Sequence, residues 1–265
     1  MKNLNNTVQE LKQKKEVGLS FFLTGGYPTM QEFIEILKFI DKEKLADFAE
    51  IGIPFSDPLA DGKVIQNTSK HALKKGASFE KISHEIKEIN NDIEIPLVLM
   101  SYLNPLYAKG LEKSFEIIKK SGYSGVILPD LSIEESGEVT RIAEKFKIET
   151  IFLITPSTPL SRISSIADKS SPFVYYVSSF GVTGERENLD KGISKKIKAV
   201  KQNSSVPVYC GFGISKSHQA KIIAGQADGI IIGSALLKKI SLDKNKSYFK
   251  DIKKFAISIR KEIKN

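Results

Sequence analysis

The chain has 265 residues, a formal net charge of +9, a single cysteine and no tryptophan. Hydrophobic residues make up 41% and charged residues 27%, which is enough apolar material for a large core under an ordinary charged surface. One cysteine, Cys210, excludes an internal disulfide and fits a reducing compartment.

The excess positive charge does not point to nucleic acid. Only four of the 40 basic residues are arginine, and the lysines are spread along helix-like segments among acids and apolar residues. That is the pattern of a solvated surface rather than of a reading face, although such a field can still draw in a phosphorylated substrate. The polar N-terminus, MKNLNNTVQELKQKK, lacks the apolar core of a secretion signal. The longest apolar runs, such as GIIIGSALL, fall short of the roughly 20 residues a membrane helix needs. A cytoplasmic location is expected.

Eight short apolar runs follow one another along the chain, at 17–23, 48–54, 96–102, 125–130, 150–155, 173–178, 207–213 and 229–235. Amphipathic stretches separate them. In MQEFIEILKFIDKEK, Phe33, Ile36, Leu37 and Ile40 fall on one helical face. Cap and turn signals punctuate the units: Ser132 three residues before Glu135, Thr158 before Pro159, and Ser215 before a helical run. Strands this apolar, alternating with helices, form a parallel sheet covered by helices. Eight such units over residues 1–265 predict a single α/β domain, a (β/α)8 TIM barrel, with TVQELKQKK as an extra N-terminal helix closing the bottom. A doubly wound open sheet would carry GxGxxG after the first strand, and TGGYPT does not match it.

Active sites of such barrels lie at the C-terminal ends of the strands. Two features gather there. GFGIS (211–215) and Gly233–Ser234 put bare backbone N–H groups at the seventh and eighth strand ends, an arrangement suited to phosphate. In FAEIGIPFSDPLADG (48–62), Ala49, Ile51 and Ile53 would face the helices, so that Glu50 points into the barrel. A carboxyl there has either a proton-transfer task or a buried ion-pair partner. Asp61 ends a loop able to fold over the mouth, whereas Asp57, before Pro58, suits an Asx turn. Phe22, Tyr102, Tyr175 and Phe212 would ring the mouth and suggest a flat apolar ligand. SSFGVTGEREN is a candidate lid. His71, His84 and His218 have no metal-ligand spacing, so no metal is expected.

EIGIPFSDPLADG with the following VIQ resembles the signature of the tryptophan synthase α subunit, and YYVSSFGVTGER, GFGIS and IIGSAL resemble its later segments, in order, over about residues 17–240. The resemblance implies retro-aldol cleavage of indole-3-glycerol phosphate to indole and glyceraldehyde 3-phosphate. It implies that Glu50 is the acid/base and that Asp61 receives the indole N–H, with Tyr175 beside Glu50. Phe22, Ile65 and Phe212 would form the indole pocket, and Gly213, Gly233 and Ser234 the phosphate loops. Thr183, followed by Gly184, would be the lid residue ordering Asp61. The implied partner is a pyridoxal-phosphate-dependent β subunit in an α2β2 assembly; the α chain itself needs no cofactor. Loops 54–62 and 179–190 would order on binding that partner. A related indole-glycerol-phosphate synthase would need lysines at strand ends, and the apolar runs contain none. A non-catalytic activator of the β subunit and a stand-alone lyase are the remaining alternatives.

Overall fold

The structure is a computed structural model and describes residues 3–177, 192–211, 213–240 and 247–264. Its strands are β1 (Gly18–Thr24), β2 (Phe48–Gly52), β3 (Leu97–Met100), β4 (Gly125–Ile127), β5 (Glu149–Ile151), β6 (Leu153–Ile154), β7 (Val174–Val177), β8 (Val208–Gly211) and β9 (Gly229–Ile232). All pair in parallel, in the order β5-β4-β3-β2-β1-β9-β8-β7-β6.

The two ends of that order, β5 and β6, are consecutive in the chain. Eight of the nine strands correspond in position to the eight predicted runs, and the ninth arises because the run at 150–155 breaks at Phe152. Its first half pairs with β4 and its second with β7. Phe152 is taken out of the ladder by a side chain, since its N–H donates to the Ser170 hydroxyl at 3.0 Å. Its carbonyl still accepts from the Tyr175 N–H at 3.0 Å. The sheet thus closes into a barrel across a two-sided seam.

Period-two alternation sorts each strand between two cores. Leu19, Phe21, Ala49, Ile51, Leu97, Leu99 and Ile230 face the surrounding helices. There they meet the buried faces of helices such as Met30–Lys42, whose Phe33, Ile36, Leu37 and Ile40 are at most 1% exposed. Phe48, Val98, Ile127, Ile151, Phe173, Tyr209 and Ile231 fill the barrel interior. Among them Phe173 and Tyr209 stack at 4.3 Å, with Phe48 beside them at 5.6 and 5.5 Å, making an aromatic floor. The helix Leu4–Lys14, capped by the Asn3 side chain, closes the bottom by inserting Leu4 and Val8 beneath that floor. The closing helix starts three residues before the predicted segment.

Two aspartates tie the bottom of the sheet together. Asp47 accepts from the Leu19 N–H at 2.7 Å and from both terminal nitrogens of Arg260 at 2.8 Å, which fastens the C-terminal helix Tyr248–Ile263 to β1 and β2. Asp228 accepts from the Val208 N–H at 2.9 Å and from Lys201 at 2.7 Å. The Arg260 pair is two-pronged and about four-fifths buried, so its loss leaves a desolvated carboxylate behind. Arg260→Ala is expected to lower stability by about 2 kcal/mol, measured as a fall in the urea midpoint at constant m-value.

Candidate active site

At the C-terminal end of the barrel, the strand ends and their loops enclose a cavity of about 430 Å³. Phe22, Asp61, Ile65, Tyr175, Gly213, Gly233 and Ser234 all line it. Tyr102 borders a small adjoining cavity together with Phe22, Asp61 and Ile65. Eight of the twelve sequence-predicted residues thus border these two cavities, and Glu50, within β2, is not part of either lining; Thr183, Gly184 and Phe212, with the whole 179–190 loop, lie outside the described residues.

Glu50 sits on β2, one ladder position from Phe22 on one side and Val98 on the other. It is wholly inaccessible to solvent, and neither carboxyl oxygen has a hydrogen-bond partner among the described residues. The buried ion pair that would have given Glu50 a purely structural role is absent among the described residues. Burial without compensation pushes its carboxyl up to about 8, so the proton stays on at neutral pH. Across the barrel, burial raises the Tyr175 phenol well above its ordinary value, and the nearby Glu50 raises it further.

Asp61 is held differently. The residue is 9% exposed, and its carboxyl accepts from the Tyr102 hydroxyl at 3.2 Å. The Tyr102 oxygen in turn accepts from the Ala60 N–H at 2.9 Å, and Gln66 donates to the Asp61 carbonyl at 2.9 Å. Burial raises the Asp61 carboxyl to about 6, against the lowering effect of the Tyr102 hydrogen bond. The loop is further stitched by Leu59 N–H to the Asp57 carbonyl and Asp61 N–H to the Pro58 carbonyl. Asp57 itself is exposed and accepts from Ser56 at 2.5 Å, so it shapes the loop through Ser56 rather than through an Asx turn onto Leu59.

Tyr102, expected among the aromatics around the mouth, borders the adjoining cavity. Its ring packs against Phe55 at 5.3 Å and its hydroxyl contacts Asp61 and Ala60, so it also braces the loop that carries Asp61. The cavity's aromatic walls are Phe22 and Tyr175. Both rings need a missing side chain opposite: a Cβ on Gly52 would lie 2.3 Å from the Phe22 ring, and one on Gly211 would lie 2.2 Å from the Tyr175 oxygen.

Gly233 precedes the one-turn helix Ser234–Leu237, whose first N–H groups have no partner within the helix. Sequence reasoning missed Met100, Ile127 and Leu153 in the lining. They follow from counting inward residues along each strand, which needs the register as well as the alternation. It also gave no role to Gln66, which ends the quoted VIQ. Of the anticipated cap signals, Ser132 and Glu135 pair as expected, the Glu135 N–H donating to the Ser132 hydroxyl at 3.3 Å and that hydroxyl to the Glu135 carboxylate at 2.9 Å, and the other two are rearranged. Thr158 turns back to the Thr155 N–H at 3.0 Å, and the Gln219 side chain accepts from the Ser215 and Lys216 N–H groups at 2.9 and 3.1 Å.

A protein-family model for the tryptophan synthase alpha chain matches residues 8–264. The chain belongs to the tryptophan synthase alpha chain family. It is 38% identical over 262 residues to the tryptophan synthase alpha chain of Prochlorococcus marinus subsp. pastoris, covering 98% of this chain and 94% of that one. To the Arabidopsis thaliana alpha chain it is 38% identical over 236 residues, covering 89% and 86%. A solved structure of Mycobacterium tuberculosis tryptophan synthase superposes with a TM-score of 0.90 at 26% identity, covering all of both chains. The alpha chain of this family is a carbon–carbon lyase subunit that cleaves indole-3-glycerol phosphate to indole and glyceraldehyde 3-phosphate by a retro-aldol reaction.

A carboxyl raised from 4.5 to about 8 binds its proton more tightly in the folded chain than in the unfolded one. Folding stability therefore falls as the pH rises from about 4.5 through about 8. Glu50→Gln keeps the neutral shape and loses that dependence. The urea midpoint of the variant is expected to exceed that of the parent by an amount that grows between pH 5 and pH 8; a constant gap would contradict the burial of an unpaired carboxyl.

Proposed function

We propose that Glu50 and Asp61 carry the retro-aldol cleavage, with the remaining predicted residues holding the substrate. The observation that carries this reading is a desolvated Glu50 carboxyl, without a hydrogen-bond partner among the described residues, that acts together with the hydrogen-bonded Asp61 on Tyr175 in the cavity wall. The two environments separate the two roles. Glu50, at about 8, keeps a proton to give, while Asp61, at about 6, is ionised at neutral pH.

In this scheme the Glu50 carboxyl protonates C3 of the indole, which leaves N1 positive. The Asp61 carboxylate accepts the N1 hydrogen and stabilises the charge. The glycerol hydroxyl then returns a proton to Glu50, the carbon–carbon bond breaks, and its electron pair neutralises the ring. Indole and an aldehyde result. Phe22, Ile65 and Tyr175 flank the indole, with Tyr102 holding the Asp61 loop and Phe212 assigned to the same pocket. The N–H groups at Gly213, Gly233 and Ser234 receive the phosphate. Thr183 and Gly184 are assigned to the lid over Asp61.

The chain works with a β subunit that takes up the indole. Support comes from exposed apolar residues on segments that follow strands, on the face where the cavity opens: Leu59 at 91%, Tyr107 at 49% and Leu160 at 59% exposure. No helix among the described residues is long and apolar enough to cross a membrane, and we place the chain in the cytoplasm.

The test is indole release from indole-3-glycerol phosphate, with and without a β subunit. Weak activity alone, strong activation by the β subunit and a loss of at least about a hundredfold in Glu50→Gln are expected. Fast turnover without a β subunit would favour a stand-alone lyase, and no indole under either condition would leave only an activator. The pH profile carries a second expectation. Activity requires Asp61 ionised and Glu50 protonated, so kcat/KM rises through about pH 6 and falls through about pH 8. Tyr102→Phe removes the bond that lowers Asp61, and the acid limb is expected to move up.

A further inference from the structure

Besides Glu50, the inner wall of the barrel carries one more buried polar side chain without a hydrogen-bond partner among the described residues, the Ser20 hydroxyl on β1. Ser20, like Glu50, is wholly inaccessible to solvent. It points inward, because a Cβ on Gly18, two residues before it on the same strand face, would run into the ring of Tyr209 in the interior. The register pairs Ser20 with Phe48 and Phe22 with Glu50, which makes Ser20 and Glu50 diagonal neighbours on adjacent strands. Strand spacing and rise put their Cα atoms about 8 Å apart, a gap that the two side chains span when turned toward each other.

We propose that Ser20 is a positioning residue for Glu50, its hydroxyl donating a hydrogen bond to the Glu50 carboxylate once that carboxyl has given up its proton. The inference rests on the role proposed for Glu50 above. A neutral carboxyl tolerates the dry wall, but the anion left after proton transfer does not. One donor aimed at the anion favours the charged form and holds the carboxylate in place for the returning proton.

Of the other groups near Glu50, the Tyr102 hydroxyl already donates to Asp61, Cys210 belongs to the core on the helix side, and Tyr209 lies in the aromatic floor. Tyr175, kept protonated by burial, is the other hydroxyl able to donate, and it stands on β7 across the barrel rather than on the strand beside Glu50. Glu149, at the lower rim of β5, is hydrogen-bonded to Ser171. Asp47 with Arg260, and Asp228 with Lys201, are paired below the aromatic floor. The inward residues of the neighbouring β3, Val98 and Met100, are apolar. Asp61 carries no proton to donate once ionised.

The experiment is a carbon-13 carboxyl NMR titration of the whole chain, with Glu50→Gln to assign the Glu50 signal. Ser20→Ala, which removes one unbonded oxygen, and Ser20→Thr, which keeps the hydroxyl, are compared with the parent. Ser20→Ala is expected to raise the Glu50 midpoint by about half a pH unit or more, and Ser20→Thr to leave it in place. The alkaline limb of kcat/KM for indole release should move up with the midpoint. An unchanged Glu50 midpoint in Ser20→Ala overturns the pairing. A raised midpoint with a stationary alkaline limb upholds the pairing and overturns the proton-donor role of Glu50, so the two readings fail separately.

Discussion

The site depends on the desolvation of one carboxyl. Glu50 occupies a wall position whose neighbours along the ladder are Phe22 and Val98, above a floor of Phe48, Phe173 and Tyr209. A parallel barrel suits this purpose because its backbone N–H and C=O groups are consumed by the strand ladders. The interior therefore offers a side chain few donors beyond those the sequence supplies. Leaving Glu50 without one among the described residues raises it toward the pH at which it can both give and take a proton. The same absence is tolerable in the folded chain because the group is neutral when undisturbed.

Asp61 is the counterpart, and its different behaviour comes from where the chain puts it. A residue on a loop can be reached by several others, and Tyr102, Ala60 and Gln66 together fix the carboxyl and the backbone beside it. The wall holds one carboxyl rigid and dry, and the loop holds the other by hydrogen bonds near solvent. Two chemically similar groups are thus driven apart in acidity by burial and hydrogen bonding alone among the described residues. Phe22 and Tyr175 face the space between them, each seated over a glycine on a neighbouring strand.

Much of this was legible in the sequence, for physical reasons that differ by element. Helix faces such as Phe33, Ile36, Leu37 and Ile40 announce themselves because burial repeats every three or four residues. The inward aim of Glu50 followed from the alternation with Ala49, Ile51 and Ile53 alone. What could not be read was relational. The break at Phe152 is caused by the Ser170 hydroxyl, 18 residues away. The hydrogen bond of Tyr102 to Asp61 depends on a loop 41 residues earlier in the chain folding back to meet it. The Gln219 side chain reaches back to the Ser215 and Lys216 N–H groups ahead of the helix, a contact that the cap signal at Ser215 does not announce. In each case a local signal was correct about residue type and mute about its partner.

The closing seam at Phe152 gives the cavity an uneven mechanical character. Between β1 and its neighbours the ladder runs four or five residues on each side, and Phe22 belongs to that stiff wall. Opposite it, Leu153 and Tyr175 line the cavity from the two-residue ladder of β6 with β7. A ligand slightly too large for the space would be accommodated by parting the short ladder rather than by displacing Phe22 or Glu50. The compliance of the pocket is therefore directed away from the proton-bearing group, and tolerance for variation in the ligand need not disturb the acid.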